Sequence, residues 1–298
     1  MQNNNPKFAF FGSSQMSIFV LDELEKLGLK PEFIVTTPDK PVGRKQVITP
    51  NVVKTWALEN KIPVYDPEKL NSDFIEKIKT INRDSSNKEI SPVFLVASFG
   101  KILPDELIKI PSRGTLNIHP SLLPKYRGPS PLPSAILDDC KKTGITIMQM
   151  DKEMDHGPII AQKEITITEW PTYEIFEENM AREGSRLFVE ILDKWVNGKI
   201  TAKEQDHSQA SYTKKINKED GLLDLNADPY TNWRKIQAFH EWPQTYFLIT
   251  HNGKNLRIKI TEADFINGKI GIKKVIPEGS KEMSYEDFCR GYNFELIS

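Results

Sequence analysis

The sequence predicts a doubly wound, mostly parallel α/β domain followed by a smaller β-barrel domain, and three observations carry that prediction. Residues 7–11 (KFAFF) are a short apolar run that gives way to Gly12, Ser13 and Ser14, and then to Phe19, Val20, Leu24 and Leu27 at helical spacing. Residues 92–98 (PVFLVAS) are continuously apolar, as a strand covered on both faces of a parallel sheet must be. Towards the end, short runs at 244–250, 256–263 and 268–275 are separated by Asn252-Gly253 and Asn267-Gly268, the residue pairs that tight hairpins favour.

The remaining elements follow in order. Residues 32–36 read as a second strand, 51–59 (NVVKTWALE) as a helix capped by Asn51 or Thr49, 62–64 as a short strand and 67–78 as a helix. Residues 82–91 (NRDSSNKEIS) are polar and aperiodic, an exposed loop. A strand at 116–118, a helix around 134–138, an alternating strand at 144–150 (GITIMQM) and further β character at 159–167 come next. Residues 174–197 form a long helix whose buried stripe is expected to be Ile175, Met180, Leu187, Phe188 and Ile191. The first domain is taken as 1–197, the aperiodic run 198–211 as a surface linker, and 212–298 as the second domain, which opens with a helix at 229–239. No internal repeat is visible.

Composition narrows the function. With 40 Lys+Arg against 41 Asp+Glu in 298 residues, the molecule as a whole has no pull on nucleic acid or anionic membrane, so any RNA contact must be local. Cys140 and Cys289 fit neither a disulfide framework nor a structural zinc site, which points to a reducing compartment. The first residues lack the pattern of a signal or transit peptide and no run reaches the roughly 18 apolar residues of a membrane span, so the expectation is a cytoplasmic protein without a membrane partner. HExxH, Walker, GxSxG and CxxC motifs are missing, and Gly12-Ser13-Ser14 lacks the glycines of a dinucleotide turn.

Chemistry gathers around one strand end. Asn117 and His119, two apart on a strand, project to the same side where open α/β sheets place their ligands. The irregular stretch 120–128 (PSLLPKYRG) follows, and Asp155 falls in a tight turn after the GITIMQM strand, where its carboxylate would orient His119. Each of the three alone is an ordinary turn or capping residue, and only the combination singles them out. His156 is left without a role.

In combination these segments resemble a known family. Asn117-Ile-His119, SLLP at 121–124, YRG at 126–128, TIMQMD at 146–151 and Asp155-His-Gly157 are similar to the folate-dependent formyltransferases. TTPDKPVGR at 36–44, PNVVK at 50–54, Phe99-Gly100 with ILP at 102–104, YTKKI at 212–216 and Trp242-Pro243 extend the likeness, over nearly the whole chain, to the members that act on methionyl-tRNA. The resemblance implies a Rossmann-like first domain, an OB-like second domain, and transfer of the formyl group of 10-formyltetrahydrofolate to methionyl-initiator tRNA in translation initiation. It implies Asn117, His119 and Asp155 as the catalytic group, with no metal. Folate would lie against Phe99, Lys101, Ile102, Leu103, Ser121, Leu122, Leu123, Pro124 and Asp151. Lys40, Arg44, Lys45 and Lys54, in and beside a loop that Pro38, Pro41 and Gly43 argue to be irregular, would contact the tRNA. A monomer is expected. The alternatives are a sugar-nucleotide N-formyltransferase, which has no need of the 36–50 loop, and a non-catalytic RNA-binding protein, against which the intact triad argues.

Overall fold

The computed structural model describes residues 6–42 and 46–294. The chain divides into two compact units, the first comprising Met1–Arg127, Gly144–Ile165 and Glu178–Tyr212, the second Gly128–Thr143, Thr166–Glu177 and Thr213–Ser298.

In chain order the elements are β1 (Phe8–Phe11), α1 (Gln15–Lys26), β2 (Ile34–Val35), β3 (Lys40–Val42), β4 (Val47–Thr49), α2 (Val52–Glu59), β5 (Val64–Tyr65), α3 (Ser72–Ile81), β6 (Val93–Val96), α4 (Asp105–Ile108), β7 (Thr115–His119), α5 (Pro131–Leu137), β8 (Lys142–Gln149), β9 (Ile159–Thr166) and α6 (Tyr173–Val196). Seven strands make one sheet in the order β5-β2-β1-β6-β7-β8-β9, parallel from β5 to β7 and antiparallel where β8 joins β7. The chain runs outward from β1 in one direction and from β6 in the other, so the crevice at their carboxyl ends is a topological switch point. Ser13 spans it, donating its hydroxyl to the Phe99 carbonyl at 2.6 Å.

Both sheet faces are covered, which is why β1 and β6 are apolar at every position. Ala9, Phe11, Phe94 and Val96 pack with Phe74, Ile75 and Ile78 of α3 and with Leu103 and Leu107 near α4. On the opposite face Phe8 meets Phe188 of α6 edge-on at 5.4 Å. Burying a side chain of this size is worth about 1.5–3 kcal/mol.

Several sequence expectations need correcting. The helix expected over 67–78 begins at Ser72, because Asn71 caps it by accepting the Phe74 amide. The loop 82–91 is open only in its middle. Asn82 and Ser91 are buried, and the Asn82 amide bonds the Ser91 backbone in both directions at 3.1 and 2.8 Å. Ile175 is half exposed, and its neighbour Phe176 takes the buried position in α6. The stretch expected to be irregular around Pro41 contains a hairpin, β3 against β4, with Lys40 opposite Thr49 and Val42 opposite Val47.

In the second unit α7 (Pro229–Ala238) packs on a four-stranded antiparallel sheet of β10 (Tyr246–His251), β11 (Lys254–Ile266), β12 (Lys269–Pro277) and β13 (Met283–Ser284), the antiparallel sheet domain that the sequence predicts at this end of the chain. Asn252 and Asn267 take φ of 52°, each followed by a glycine of positive φ, so both hairpins have the left-handed turn that the Asn-Gly pairs demanded. The closing helix α8 (Tyr285–Tyr292) was not anticipated. Its signal was there: Ser284 caps it, and Tyr285, Phe288, Cys289 and Tyr292 recur at helical spacing.

Candidate active site

The site is built on the end of β7. Strand alternation sends Asn117 and His119 to one side, and pairing with β6 on one flank and β8 on the other fixes their height. His119 is almost fully buried, while Asn117 is half-buried. Nε2 of His119 lies 2.9 Å from the Tyr126 carbonyl. A carbonyl can only accept, so Nε2 carries the hydrogen and Nδ1 is the nitrogen left for chemistry.

Asp155 comes in from the turn after β8. Its Oδ1 lies 3.6 Å from His119 Nδ1 and 3.4 Å from Asn117 Nδ2, so the three side chains converge on one carboxylate oxygen. These separations are longer than tight hydrogen bonds, an open arrangement of the kind that closes around a substrate. Asp155 adopts φ of 51°, in the left-handed region that aspartate tolerates better than most residues. Two residues on, a Cβ at Gly157 would fall 2.0 Å from the Gln149 carbonyl, so only glycine lets the turn close this tightly onto β8.

The 121–124 segment is strapped to the strands beside it. Thr146 donates its hydroxyl to the Ser121 carbonyl at 2.7 Å and accepts the Leu123 amide at 3.1 Å, and Gln162 donates to the Leu123 carbonyl at 2.8 Å. Ser121 and Leu123 are consequently buried, whereas Leu122 and Pro124 are partly exposed. Phe99 and Leu103 belong to the sheet core, and Ile102 is 84% exposed, so it is the apolar member of 99–103 with a face to offer. The Lys101 ammonium donates to the Pro67 and Glu68 carbonyls at 2.7 and 2.9 Å, and burial pushes it below the usual lysine range. Asp151 is engaged locally, 2.7 Å from His156 Nδ1.

The expected RNA-contacting residues separate. Lys40 is exposed on β3, alongside the exposed Val47 and Ile48 of β4. Lys54 instead sits between two carboxylates, 2.8 Å from Asp66 and 3.0 Å from Asp39, and those bonds raise its pKa. Arg44 and Lys45 lie outside the described residues.

Sequence reasoning missed the buried polar residues behind the site. Arg127, 1% exposed, shows in the sequence only as a member of the 126–128 motif, and Gln205, 5% exposed, lies in the stretch expected to be a surface linker. The linker carried no apolar periodicity to reveal it. Among the described residues no group of three or more His, Cys, Asp or Glu is placed to hold a metal ion, and no helix is long and apolar enough to cross a membrane.

The mostly parallel sheet presents an amide, an imidazole and a carboxylate together at its switch-point edge, groups suited to stabilising an oxyanion and moving a proton. The chain belongs to the formyl transferase family: the formyl transferase model matches residues 6–192 and the formyl transferase C-terminal domain model matches 215–271. Methionyl-tRNA formyltransferase of Sulfurihydrogenibium sp. is 39% identical over 242 residues, covering 80% of this chain and 75% of that protein. The enzyme of the same name from Dictyoglomus turgidum is 34% identical over 319 residues, covering 97% and 98%. Among solved structures, an N-formyltransferase from Helicobacter canadensis in complex with folinic acid and dTDP-3-aminofucose has a TM-score of 0.62 at 21% identity, over 94% of this chain and 98% of that one. Methionyl-tRNA formyltransferase from Clostridium thermocellum has a TM-score of 0.57 at 16% identity, over 91% and 98%. At these identities the two structures speak to the fold alone.

Proposed function

We propose that the protein transfers the formyl group of 10-formyltetrahydrofolate to the amino group of methionyl-initiator tRNA. The observation that carries this reading is the convergence of Asn117, His119 and Asp155 on one carboxylate oxygen within 3.6 Å. The amine attacks the formyl carbon, the carbonyl oxygen becomes an oxyanion, and the nitrogen must shed a proton before the bond to the folate nitrogen breaks. Asn117 Nδ2 donates to the oxyanion, joined by His119 once Nδ1 is protonated. A donor of this kind contributes about 2.7–4 kcal/mol. Asp155, whose Oδ1 faces His119 Nδ1, takes the proton shed by the attacking amine and returns it to the leaving nitrogen, a contribution of about 10²- to 10⁴-fold.

The formyl donor lies along residues 99–103, 121–124 and 151–155, with Ile102, Leu122 and Pro124 as its apolar contacts. Residues 1–197 act as the catalytic domain, 198–211 as the connection, and 212–298 as a tRNA-binding domain. The exposed hairpin of β3 and β4, with Lys40 on it, is the arm toward the acceptor stem. The relative matching over nearly its whole length supports tRNA as acceptor over an amino sugar. The protein works as a monomer in the cytoplasm.

The test is one assay with labelled 10-formyltetrahydrofolate in which methionyl-tRNA and an amino-sugar nucleotide are offered side by side. Label in methionyl-tRNA is the expected result. Label in the sugar alone reassigns the acceptor, and label in neither ends the reading.

A further inference from the structure

We propose that Gln205 is a positioning residue for Asp155, the pivot through which buried Arg127 holds the catalytic turn in place; the inference rests on the formyl-transfer reading of that site. Gln205 uses its whole hydrogen-bonding capacity. Its Nε2 donates to the Asp155 carbonyl at 3.0 Å and to the Gly157 carbonyl at 2.7 Å, gripping the turn on both sides of His156. Its Oε1 accepts from Arg127 Nε at 3.2 Å and Nη2 at 2.6 Å. The orientation is dictated, because a guanidinium only donates and the two carbonyls only accept. A flipped amide would leave all four bonds opposed.

Both ends of this strut are anchored. Lys203, two residues before Gln205, exchanges two backbone bonds of 2.7 Å with Ile159 at the start of β9. The Arg127 backbone amide bonds the Ser211 carbonyl at 2.9 Å, and its guanidinium reaches the Tyr212 hydroxyl at 3.2 Å and His207 Nδ1 at 2.9 Å. His207 in turn stacks on His156, with ring centroids 4.1 Å apart and planes within 3°. The turn carrying Asp155 is therefore held from behind by a segment some fifty residues away in sequence, through atoms that do not include its carboxylate. The grip falls on the backbone of the turn, at its left-handed φ, and not on the carboxylate that faces His119 and Asn117. Only an amide side chain satisfies an arginine and two carbonyls at once.

The test is Gln205→Glu, which keeps the length and the acceptor for Arg127 but sets a carboxylate oxygen against two carbonyls. With methionyl-tRNA as acceptor, kcat is expected to fall at least tenfold while KM for both substrates stays within about twofold. The His119 ring resonances at fixed pH are expected to move as they do in Asp155→Asn. Gln205→Asn, one methylene short of spanning the gap, carries the same expectation should the glutamate variant not fold. Unmoved His119 resonances with wild-type kcat would overturn the proposal, as would a loss confined to KM. The NMR comparison needs no substrate, so a wild-type protein that formylates nothing would sink the proposed function and leave this inference separately tested.

Discussion

Two loops carry the expected functional residues, and they are fixed in opposite ways. The turn around Asp155 is gripped by Gln205, pinned against β8 at Gly157 and stacked through His156 on His207. The hairpin of β3 and β4 is held at its base, where Asn51 bonds the Ser13 backbone and Thr37 and where Lys54 joins Asp39 to Asp66, while Val47 and Ile48 are 60% and 71% exposed. Acid-base catalysis fails when a group strays by an ångström, whereas contact with a nucleic acid backbone tolerates adjustment. The tethers gather at the turn where the proposed chemistry needs them.

The strongest way to break this contrast is to remove the groups that the rigid turn serves. His119→Ala or Asp155→Asn is expected to lower kcat about 10³-fold, and Asn117→Ala about 10²- to 10³-fold, with the KM for tRNA little changed in steady-state assays. Comparable losses in KM would mean that this turn binds rather than catalyses.

A buried acid without such tethers sharpens the comparison from the side of stability. Glu177 is 7% exposed and accepts a hydrogen bond from Tyr173 at 2.7 Å, yet burial pushes its carboxyl from 4.5 up to about 7. Between those values the folded state holds a proton that the unfolded chain releases. The associated stability is therefore present below about pH 4.5 and lost as the pH rises through about 7. Glu177→Gln is expected to match the wild type near pH 4 and to exceed it by up to about 3 kcal/mol at pH 8, read from urea midpoints. An equal gain at both pH values would contradict this origin.

On the hairpin the expected effects are smaller and of another kind. Lys40→Ala combined with Ile48→Ala should raise the KM for tRNA about three- to tenfold and leave both kcat and folate binding unchanged. A drop in kcat instead would erase the distinction between the loops. Lys54→Ala should speed amide exchange at Val47, Ile48 and Thr49 while moving Tm by no more than about 2 °C, since partly exposed ion pairs contribute little.

Much of this was legible because it is written in short-range patterns. The apolar runs of β1 and β6 announced a sheet covered on both faces, the Asn-Gly pairs announced the two hairpins, and Asn117 and His119 had to share a face because strand periodicity is two. The errors have physical reasons too. Asn71 outcompeted Pro67 as the start of α3 because its side chain satisfies a free helix amide, and Asn82 closed a polar loop through bonds that composition does not reveal.

The sequence by itself determined the order of elements, the face on which Asn117 and His119 lie, and the motifs that carry the family likeness. Tertiary structure alone decided that Asp155 meets them, that Gln205 and Arg127 stand behind it, and that Lys54 turns to Asp39 and Asp66. Hydrophobic burial repeats with the period of helix or strand and so leaves a trace along the chain. A hydrogen bond between residues fifty apart has no period, and it exists only once the backbone has closed around it.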